Sequence, residues 1–248
     1  MPDLDWLTAH PIAHRGLHDA AGDVIENTAS AFSAAIAGGY GIETDLQISA
    51  DSEAMVHHDD ALGRLTDGDG HLAEMRATDI QAVRFKATSD RILTLGELCE
   101  LVGGRATLAI ELKSRFDGDL RLAKRAAEAL ADYAGPVAVM SFDPALIEAC
   151  RLLAPGLTRG IVAERHYAHA EWDRVPPQQK RRLAFLLHAP DTKPQFVAYG
   201  VKDLPAAAPL IARWLFGLPL LTWTVRSEAD RIRAGRWADQ MIFEGFRP

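Results

Sequence analysis

The sequence predicts an α/β fold built on a parallel sheet. Short apolar runs alternate with longer amphipathic segments along nearly the whole chain, which is the pattern of repeated βα units. Nine runs qualify as strands, and eight remain if the third extends the second unit: 11–14, 42–48, 54–58, 107–113, 136–141, 159–162, 196–201, 218–225 and 240–244. Helical periodicity fills the intervals at 28–37, 95–102, 119–133, 144–153, 204–216 and 227–236.

Eight βα units suit a closed (β/α)8 barrel, the TIM barrel, although an open doubly wound sheet gives the same alternation. No Gly-x-Gly-x-x-Gly follows the first strand, so the strongest signal for a dinucleotide-binding open sheet is absent. The length of 248 residues matches one barrel domain spanning 1–248. Residues 60–91 are polar and too long for an ordinary loop, and we predict a small insertion near the barrel mouth there, after the second strand.

The composition indicates which binding partners and which cellular compartment to expect for the protein. A net charge of −7 argues against a general affinity for nucleic acid or anionic membrane, both of which favour basic proteins. Two cysteines, Cys99 and Cys150, form neither a disulfide framework nor a thiolate zinc site. The first residues lack a signal-peptide pattern, and no apolar run approaches the roughly 20 residues of a membrane span. We therefore expect a soluble, cytoplasmic protein without stable membrane association, and the oligomeric state is left open.

Ionisable residues interrupt two strands that are otherwise apolar. Period-two alternation puts Glu43 and Asp45 on the lumen side of one strand, and Glu111 and Lys113 on the lumen side of another. A surface ion pair on an edge strand is an alternative for Glu111 and Lys113 taken alone. Three carboxylates converging in an interior would repel one another without a cation. Oxygen ligands of this type suit Mg²⁺, Ca²⁺ or Mn²⁺ better than zinc or copper, so the whole set predicts a metal site.

Two histidines end strands beside this cluster, and each is followed by charged residues. A lone histidine is more often structural, but His14 and His58 together form a plausible acid and base pair, because imidazole titrates near neutral pH. Arg15 and Lys113 supply positive charge for a phosphate.

The adjacent pair His57 and His58 tests the strand register. Successive side chains point to opposite faces of a strand, so only one of the two can enter the site. We choose His58, with Ala54 and Val56 below it on the same inward side. His57 is then expected to face the helical layer or solvent.

Short motifs occur along the chain in a recognisable order: His14-Arg15-Gly16, Glu26-Asn27-Thr28, Ile42-Glu43-Thr44-Asp45, His58-Asp59-Asp60 with Leu62, Arg64 and Thr66, Glu111-Leu112-Lys113, Ser141-Phe142-Asp143 and Trp223-Thr224-Val225. The ordered set resembles the glycerophosphodiester phosphodiesterase family, in its bacterial cytoplasmic type. Residues 60–91 fall where that family carries its insertion, although this one is shorter than in many relatives.

The resemblance implies a role for each matching residue. Glu43, Asp45 and Glu111 would bind Mg²⁺ or Ca²⁺, and His14 and His58 would be the acid and base. Arg15 and Lys113 would hold the phosphodiester. The remaining matches are Glu26, which would support His14 or the substrate, and Trp223 as an aromatic wall. The position of Asn27 before the first predicted helix suits a helix cap.

The chain departs from the family pattern at the end of the last strand. The family commonly has Thr-Asp or Thr-Asn there, often before proline, whereas this chain has Phe243-Glu244-Gly245. The resemblance therefore leaves the substrate-facing detail of the eighth βα loop open, together with the role of Glu244.

The function implied by the resemblance is hydrolysis of glycerophosphodiesters to sn-glycerol 3-phosphate and an alcohol. One alternative is an enzyme acting on acylated lipid, like lysophospholipase D or the phospholipase C-like barrels. Another is a barrel that binds phosphate esters without turnover. An oxidoreductase or sugar isomerase is a more remote alternative, because fold does not fix function.

Two further patterns are interpreted as solvated surface. His166 and His169 lie in a charged stretch with no further ligand nearby, and Lys180-Arg181-Arg182 is a short basic run in an acidic protein.

Overall fold

The chain folds as a closed parallel barrel, which confirms the predicted TIM barrel. A computed structural model describes residues 3–169 and 172–248. Eight parallel strands form the ring in the order β1, β9, β8, β7, β6, β5, β4, β2, and pairing of β1 with β2 closes it. The strands are β1 (Ile12–Ala13), β2 (Gly41–Ile48), β3 (Ala54–Val56), β4 (Leu108–Leu112), β5 (Val137–Ser141), β6 (Thr158–Ala163), β7 (Phe196–Gly200), β8 (Leu220–Val225) and β9 (Gln240–Phe243).

Ten α-helices accompany this ring in the described ranges, most of them on its outside. They are α1 (Asp5–Thr8), α2 (Ala29–Ala37), α3 (Ala77–Ala82), α4 (Leu95–Val102), α5 (Arg121–Ala129), α6 (Pro144–Leu153), α7 (Pro177–Ala184), α8 (Ala189–Thr192), α9 (Ala207–Phe216) and α10 (Glu228–Trp237). The six predicted helices are all present, while α1, α3, α7 and α8 were not predicted. Within residues 3–169 and 172–248, no helix combines the length and the apolar character that a membrane crossing requires.

The third strand lies outside the ring. β3 runs antiparallel to β2 and pairs with it alone among the strands of the described ranges. Ala54 and Val56 pack in the apolar layer between the sheet and the helices, not on the lumen side. Their expected inward orientation was wrong, because a strand beside the closed ring has no face toward the lumen.

The lumen is apolar toward the amino ends of the strands. An interior cluster contains Ala109 from β4, Met140 from β5, Phe196 from β7 and Ile242 from β9. Leu7 of α1 joins this cluster and is fully buried, so the short first helix covers that end of the barrel. Side chains that share a register with these residues also face the lumen, which fixes the orientation of the charged residues on β2 and β4.

The segment 60–91 forms a small unit beside the mouth. It contains α3, a short 3₁₀ turn over Leu72–Glu74, and isolated bridges from Ala61 to His71 and from Thr66 to Phe85. Its apolar residues form a separate cluster with Met55 of β3. The segment 60–91 thus packs against β3 through Met55.

Candidate active site

Three carboxylates from β2 and β4 meet in the lumen. Asp45 pairs in register with Glu111, and Glu43 pairs with Ala109, a member of the interior cluster. All three carboxylates are buried, and one oxygen of each lies within 4.8 Å of the others. The predicted inward orientation of Glu43, Asp45 and Glu111 is present in the structure.

Two cations lie against these carboxylates. Lys113 Nζ is 2.9 Å from Asp45 Oδ1 and 2.7 Å from Glu111 Oε1. Arg15 Nε is 3.3 Å from Asp45 Oδ2, and the Arg15 backbone N–H donates to Glu43 Oε2 at 2.9 Å. The two residues predicted to hold a phosphodiester therefore border the carboxylate cluster.

The carboxylates differ in their electrostatic surroundings. Burial, together with Asp45 and Glu111, raises the pKa of Glu43 well above its usual range. Burial also raises the pKa of Glu111, although Lys113 opposes it. Burial acts in the same direction on Asp45, but Lys113 and nearby cationic groups outweigh it, and the pKa of Asp45 is lowered. Negative charge is therefore stabilised at Asp45 and is costly at Glu43 and Glu111.

His14 is held by a carboxylate from the last strand end. Its Nδ1 lies 2.7 Å from Glu244 Oε2, which also accepts from Arg226 Nη2 at 2.7 Å. Burial lowers the pKa of His14 to about 4, although the hydrogen bond to Glu244 opposes that shift. A neutral imidazole beside a carboxylate carries its proton on Nδ1, so Nε2, 3.9 Å from Glu43 Oε2, is the free proton acceptor.

His58 has a similar arrangement on the other side of the site. Its Nδ1 lies 2.7 Å from Asp59 Oδ1, and Asp59 Oδ2 accepts from Arg64 Nε at 2.6 Å. His57 is buried and points elsewhere, with its Nδ1 at 3.0 Å from the Asp59 carbonyl oxygen. Of the two neighbouring histidines, His58 faces the cavity and His57 is absent from its lining.

A cavity of about 250 Å³ joins these groups at the carboxyl ends of the strands. The predicted site residues in its lining are His14, Arg15, Glu43, His58, Glu111, Lys113 and Trp223. A larger groove of about 600 Å³ shares His58, Glu111 and Lys113 with it and runs toward the insertion. Asp45 is not among the residues that line this cavity, but its Oδ1 lies 2.9 Å from Nζ of the lining residue Lys113.

Glu26 lies against two arginines of the site. Its Oε1 accepts from Arg15 Nη1 and from Arg64 Nη2, each at 2.6 Å. The described contacts of Glu26 include Arg15 and Arg64 but not His14, so it supports the cations of the site. Burial acts to raise the pKa of Glu26, but Arg64 and Arg15 lower it overall.

An aromatic wall borders the cavity. The Trp223 and Phe142 ring centroids are 5.5 Å apart, and those of Phe142 and Trp172 are 4.8 Å apart. Trp223 Nε1 donates to the Ala198 carbonyl oxygen at 3.2 Å, which fixes the indole plane. Trp223 thus lies in this wall, and Phe142 and Trp172 extend it.

Asn27 has a different role from the one expected. Thr28 is the N-cap of α2. The Asn27 side chain instead donates to Asp45 Oδ2 at 2.9 Å and accepts from Thr44 Oγ1 at 2.7 Å. Its backbone is left-handed, with φ of 57°, a conformation that asparagine tolerates better than most residues. Asn27 therefore orients a carboxylate of the candidate metal site.

Two other residues, His169 and Glu244, contribute more to the site than the sequence predicted. His169 is exposed, yet it lines the cavity, so its interpretation as solvated surface alone was incomplete. Glu244, whose role the sequence left open, contacts His14. A second group of possible ligand atoms, from His14, His18 and Glu244, also lies within 4.8 Å, but the Glu244 carboxylate there already accepts from Arg226.

Comparison with known sequences gives a consistent family match. A model of the Glycerophosphoryl diester phosphodiesterase family matches residues 14–246. A glycerophosphodiester phosphodiesterase from Caldanaerobacter subterraneus is 32% identical over 161 residues, covering 61% of this chain and 65% of that protein. Glycerophosphodiester phosphodiesterase 1 from Bos taurus is 26% identical over 214 residues, covering 82% and 58%. The matched part of the chain thus spans less than two thirds of either relative.

Solved structures share the fold. A phosphodiesterase from Oleispira antarctica, in complex with the product sn-glycerol-3-phosphate, has a TM-score of 0.76 at 20% identity, with 96% of this chain and 94% of that chain covered. A glycerophosphodiester phosphodiesterase from Thermotoga maritima has a TM-score of 0.70 at 21% identity, with 94% and 92% covered. At these identities the likeness establishes the barrel and its connectivity.

Proposed function

The chain belongs to the glycerophosphoryl diester phosphodiesterase family, and from that premise we propose that it hydrolyses glycerophosphodiesters to sn-glycerol 3-phosphate and an alcohol. One observation carries the proposal: three buried carboxylates and two carboxylate-held imidazoles lie in or directly beneath the lining of one strand-end cavity. The Oleispira antarctica phosphodiesterase, which has the same fold, is in complex with sn-glycerol-3-phosphate. The two cysteines are free thiols, which supports a place in the reducing cytoplasm.

Glu43, Asp45 and Glu111 would hold a divalent metal ion. Their oxygen atoms form a hard donor set of the kind that Mg²⁺, Ca²⁺ and Mn²⁺ prefer. The raised pKa of Glu43 and Glu111 fits this role, because a nearby cation offsets the mutual repulsion of the carboxylates. When bound, such an ion polarises phosphate oxygens and neutralises developing charge.

His14 would act as the general base. Its lowered pKa keeps the ring neutral at pH 7, and Glu244 holds the proton on Nδ1. The lone pair on Nε2 is then available to take a proton from the attacking hydroxyl group. That hydroxyl belongs either to water or to the 2-position of the glycerol. In the second case the alcohol leaves as a cyclic phosphate forms, and water then opens that ring to give sn-glycerol 3-phosphate.

His58 would supply the proton to the leaving alcohol. Asp59 fixes its Nδ1, so Nε2 is the atom that exchanges a proton at the cavity. The arrangement mirrors that of His14 and Glu244, and the two imidazoles provide the two proton transfers of a diester hydrolysis.

Arg15 and Lys113 would bind the phosphodiester anion. Both line the cavity, and ion pairing raises the pKa of each despite burial, so both are charged at neutral pH. A guanidinium can make two parallel hydrogen bonds to phosphate oxygens. Trp223 would pack against the apolar face of the substrate.

The test is a panel of glycerophosphodiesters assayed for glycerol 3-phosphate release with different divalent ions. We expect deacylated, short-headed diesters to be hydrolysed faster than lysophospholipids, because the cavity is small and polar. If a lysophospholipid is cleaved faster than its deacylated counterpart, the protein is instead an enzyme that acts on acylated lipid. If the diesters bind but none is hydrolysed, the protein is instead a barrel that binds phosphate esters without turnover.

A further inference from the structure

Helix α9 has no polar face. Arg213 is its one charged residue, and it pairs with Asp239 at 2.7 Å. The inner face, which includes Leu210 and Ala212, packs in the core. The outer face is equally apolar, and Trp214 and Leu215 are 64% and 73% exposed. A helix that is apolar all round is normally buried on every side, so this outer face fits an apolar partner.

Apolar side chains on both sides extend this surface. The segment that joins α7 and α8 exposes Phe185 and Leu187, while Leu186 between them packs in the same cluster as Leu210 of α9. On the other side, the Trp237 ring of α10 lies 6.2 Å from the Trp214 ring. In the described part of the chain, seven of the ten large apolar residues that are exposed fall between residues 177 and 237. We call this surface the α7–α10 face.

The charge of this region is opposite to that of the whole protein. Residues 177–237 contain ten Lys and Arg against four Asp and Glu, whereas the full chain has 27 against 34. Five of these ten cations are held in ion pairs and are not counted toward the charge of the face: Lys202, Arg213, Arg226, Arg231 and Arg233. Lys180, Arg181 and Arg182 on α7 form no ion pair within 3–169 and 172–248, and the Arg236 guanidinium stacks over the Trp237 ring at 5.1 Å. The α7–α10 face therefore combines an apolar centre with a basic margin.

The apolar centre and basic margin of the α7–α10 face indicate what kind of partner fits there. A second copy of the chain placed symmetrically on the face would bring the basic margins of both copies together. An anionic lipid surface offers negative headgroups to the basic margin and an apolar layer to Trp214, Leu215 and Phe216. Tryptophan is enriched where protein meets the headgroup region, and basic residues add attraction to anionic lipid.

We propose that the α7–α10 face docks on an anionic lipid bilayer as a peripheral, salt-sensitive contact. This proposal departs from the expectation that the net charge argues against a general affinity for anionic membrane. Net charge describes the average surface, whereas docking depends on the charge of one face. Trp214 to Phe216 lead into the amino end of β8, while the cavity lies at the carboxyl ends of the strands. The docked protein would therefore keep its site open to water and to deacylated substrates.

The experiment is co-sedimentation with vesicles that contain no glycerophosphodiester. Phosphatidylcholine vesicles are compared with phosphatidylcholine–phosphatidylglycerol vesicles, at low and at high salt. We expect the protein to sediment with the anionic vesicles at low salt and to be released at high salt. The double variant Trp214→Ser with Leu215→Ser, and the double variant Arg181→Glu with Arg182→Glu, should each lower the bound fraction at least about tenfold.

Matched variants on another helix face control for general effects. Leu120→Ser and Lys124→Glu change an exposed apolar and an exposed basic residue at α5, and both should bind vesicles like the parent protein. All variants should keep parental turnover of a soluble diester, so that a failure here is separate from a failure of the proposed function. The proposal is overturned if the parent does not sediment with anionic vesicles at low salt, or if the α9 and α7 variants bind as well as the controls. It is also overturned if the face proves to hold a dimer that Trp214→Ser with Leu215→Ser dissociates.

Discussion

Asp230 and Glu43 are both buried carboxylates with opposite surroundings. Asp230 lies in the first turn of α10, where it accepts from Ser227 Oγ at 2.7 Å and from Lys202 Nζ at 2.8 Å. Burial acts to raise the pKa of Asp230, but the hydrogen bonds from Lys202 and Ser227 lower it overall. Asp230 is a satisfied structural group.

Glu43 is not satisfied in this way. Its neighbours include Asp45 and Glu111, and its pKa is raised by burial and by their negative charge. Burial alone therefore does not distinguish Glu43 from Asp230, whereas the sign of the charge around each carboxylate does. A buried carboxylate with a raised pKa beside other carboxylates is a candidate cation ligand.

Chelation is the strongest test of this distinction. If Glu43, Asp45 and Glu111 hold a metal ion, removal of divalent ions should abolish turnover, and Mg²⁺, Ca²⁺ or Mn²⁺ should restore it. Glycerol 3-phosphate release after chelation and add-back measures the effect. Full activity in a sample verified as metal-free would mean that the carboxylate cluster is structural after all.

The next largest effect is expected at the two adjacent histidines. His58→Ala should lower kcat by about 10²- to 10⁴-fold, the usual contribution of a general acid or base, with metal affinity retained. His57→Ala is the matched control, because its ring is buried outside the cavity lining. Equal losses in both variants, in protein shown to be folded by circular dichroism, would contradict the orientation described for these side chains.

Glu244 should have a smaller effect, because it acts through His14. We expect Glu244→Ala to lower kcat by about 10- to 100-fold with little change in KM, as for other groups that orient a functional histidine. Glu244→Gln keeps an oxygen acceptor for Nδ1–H and should recover part of the loss. If KM changes and kcat does not, Glu244 contacts the substrate and does not position His14.

The site could be predicted where local alternation determines it. Glu43, Asp45, Glu111 and Lys113 follow the period of two on strands whose aliphatic residues mark the opposite face. The contact between His14 and Glu244 joins residues 230 positions apart and depends on closure of the barrel, which no local pattern encodes.

Elsewhere the sequence lacked a usable signal. The helix α1 has four residues, too few to show a helical period. β3 was assigned correctly as an extension of the second unit, but its antiparallel direction outside the ring could not be derived from alternation. The α7–α10 face was missed because its basic and apolar residues are spread over three helices, and only the fold assembles them.

The smallest expected effect concerns stability without metal, and it addresses the comparison of Glu43 with Asp230 directly. Glu43→Gln should stabilise the metal-free protein by about 1 kcal/mol near pH 7, because it removes one charge from a group of buried carboxylates. Asp230→Asn should destabilise it by about 1–2 kcal/mol, since it weakens the bonds to Ser227 and Lys202. Asp45→Asn should also destabilise the metal-free protein, because Asp45 pairs with Lys113 and accepts a hydrogen bond from Asn27.

The pH dependence of these differences follows from the pKa directions. Asp230 has a lowered pKa in the folded state, so its contribution is present above the unfolded value of about 3.9 and is lost as the pH falls further. Glu43 has a raised pKa, so the folded state binds its proton more tightly, and stability falls as the pH rises from about 4.3 through the folded value. The stabilisation by Glu43→Gln should therefore reach its full size only above the folded pKa of Glu43 and should vanish toward pH 4. The destabilisation by Asp230→Asn should persist from neutral pH down to about pH 4. Thermal unfolding of the chelated proteins across this range measures both, and a Glu43→Gln protein that loses as much stability as Asp230→Asn would show that Glu43 belongs to a structural ion pair.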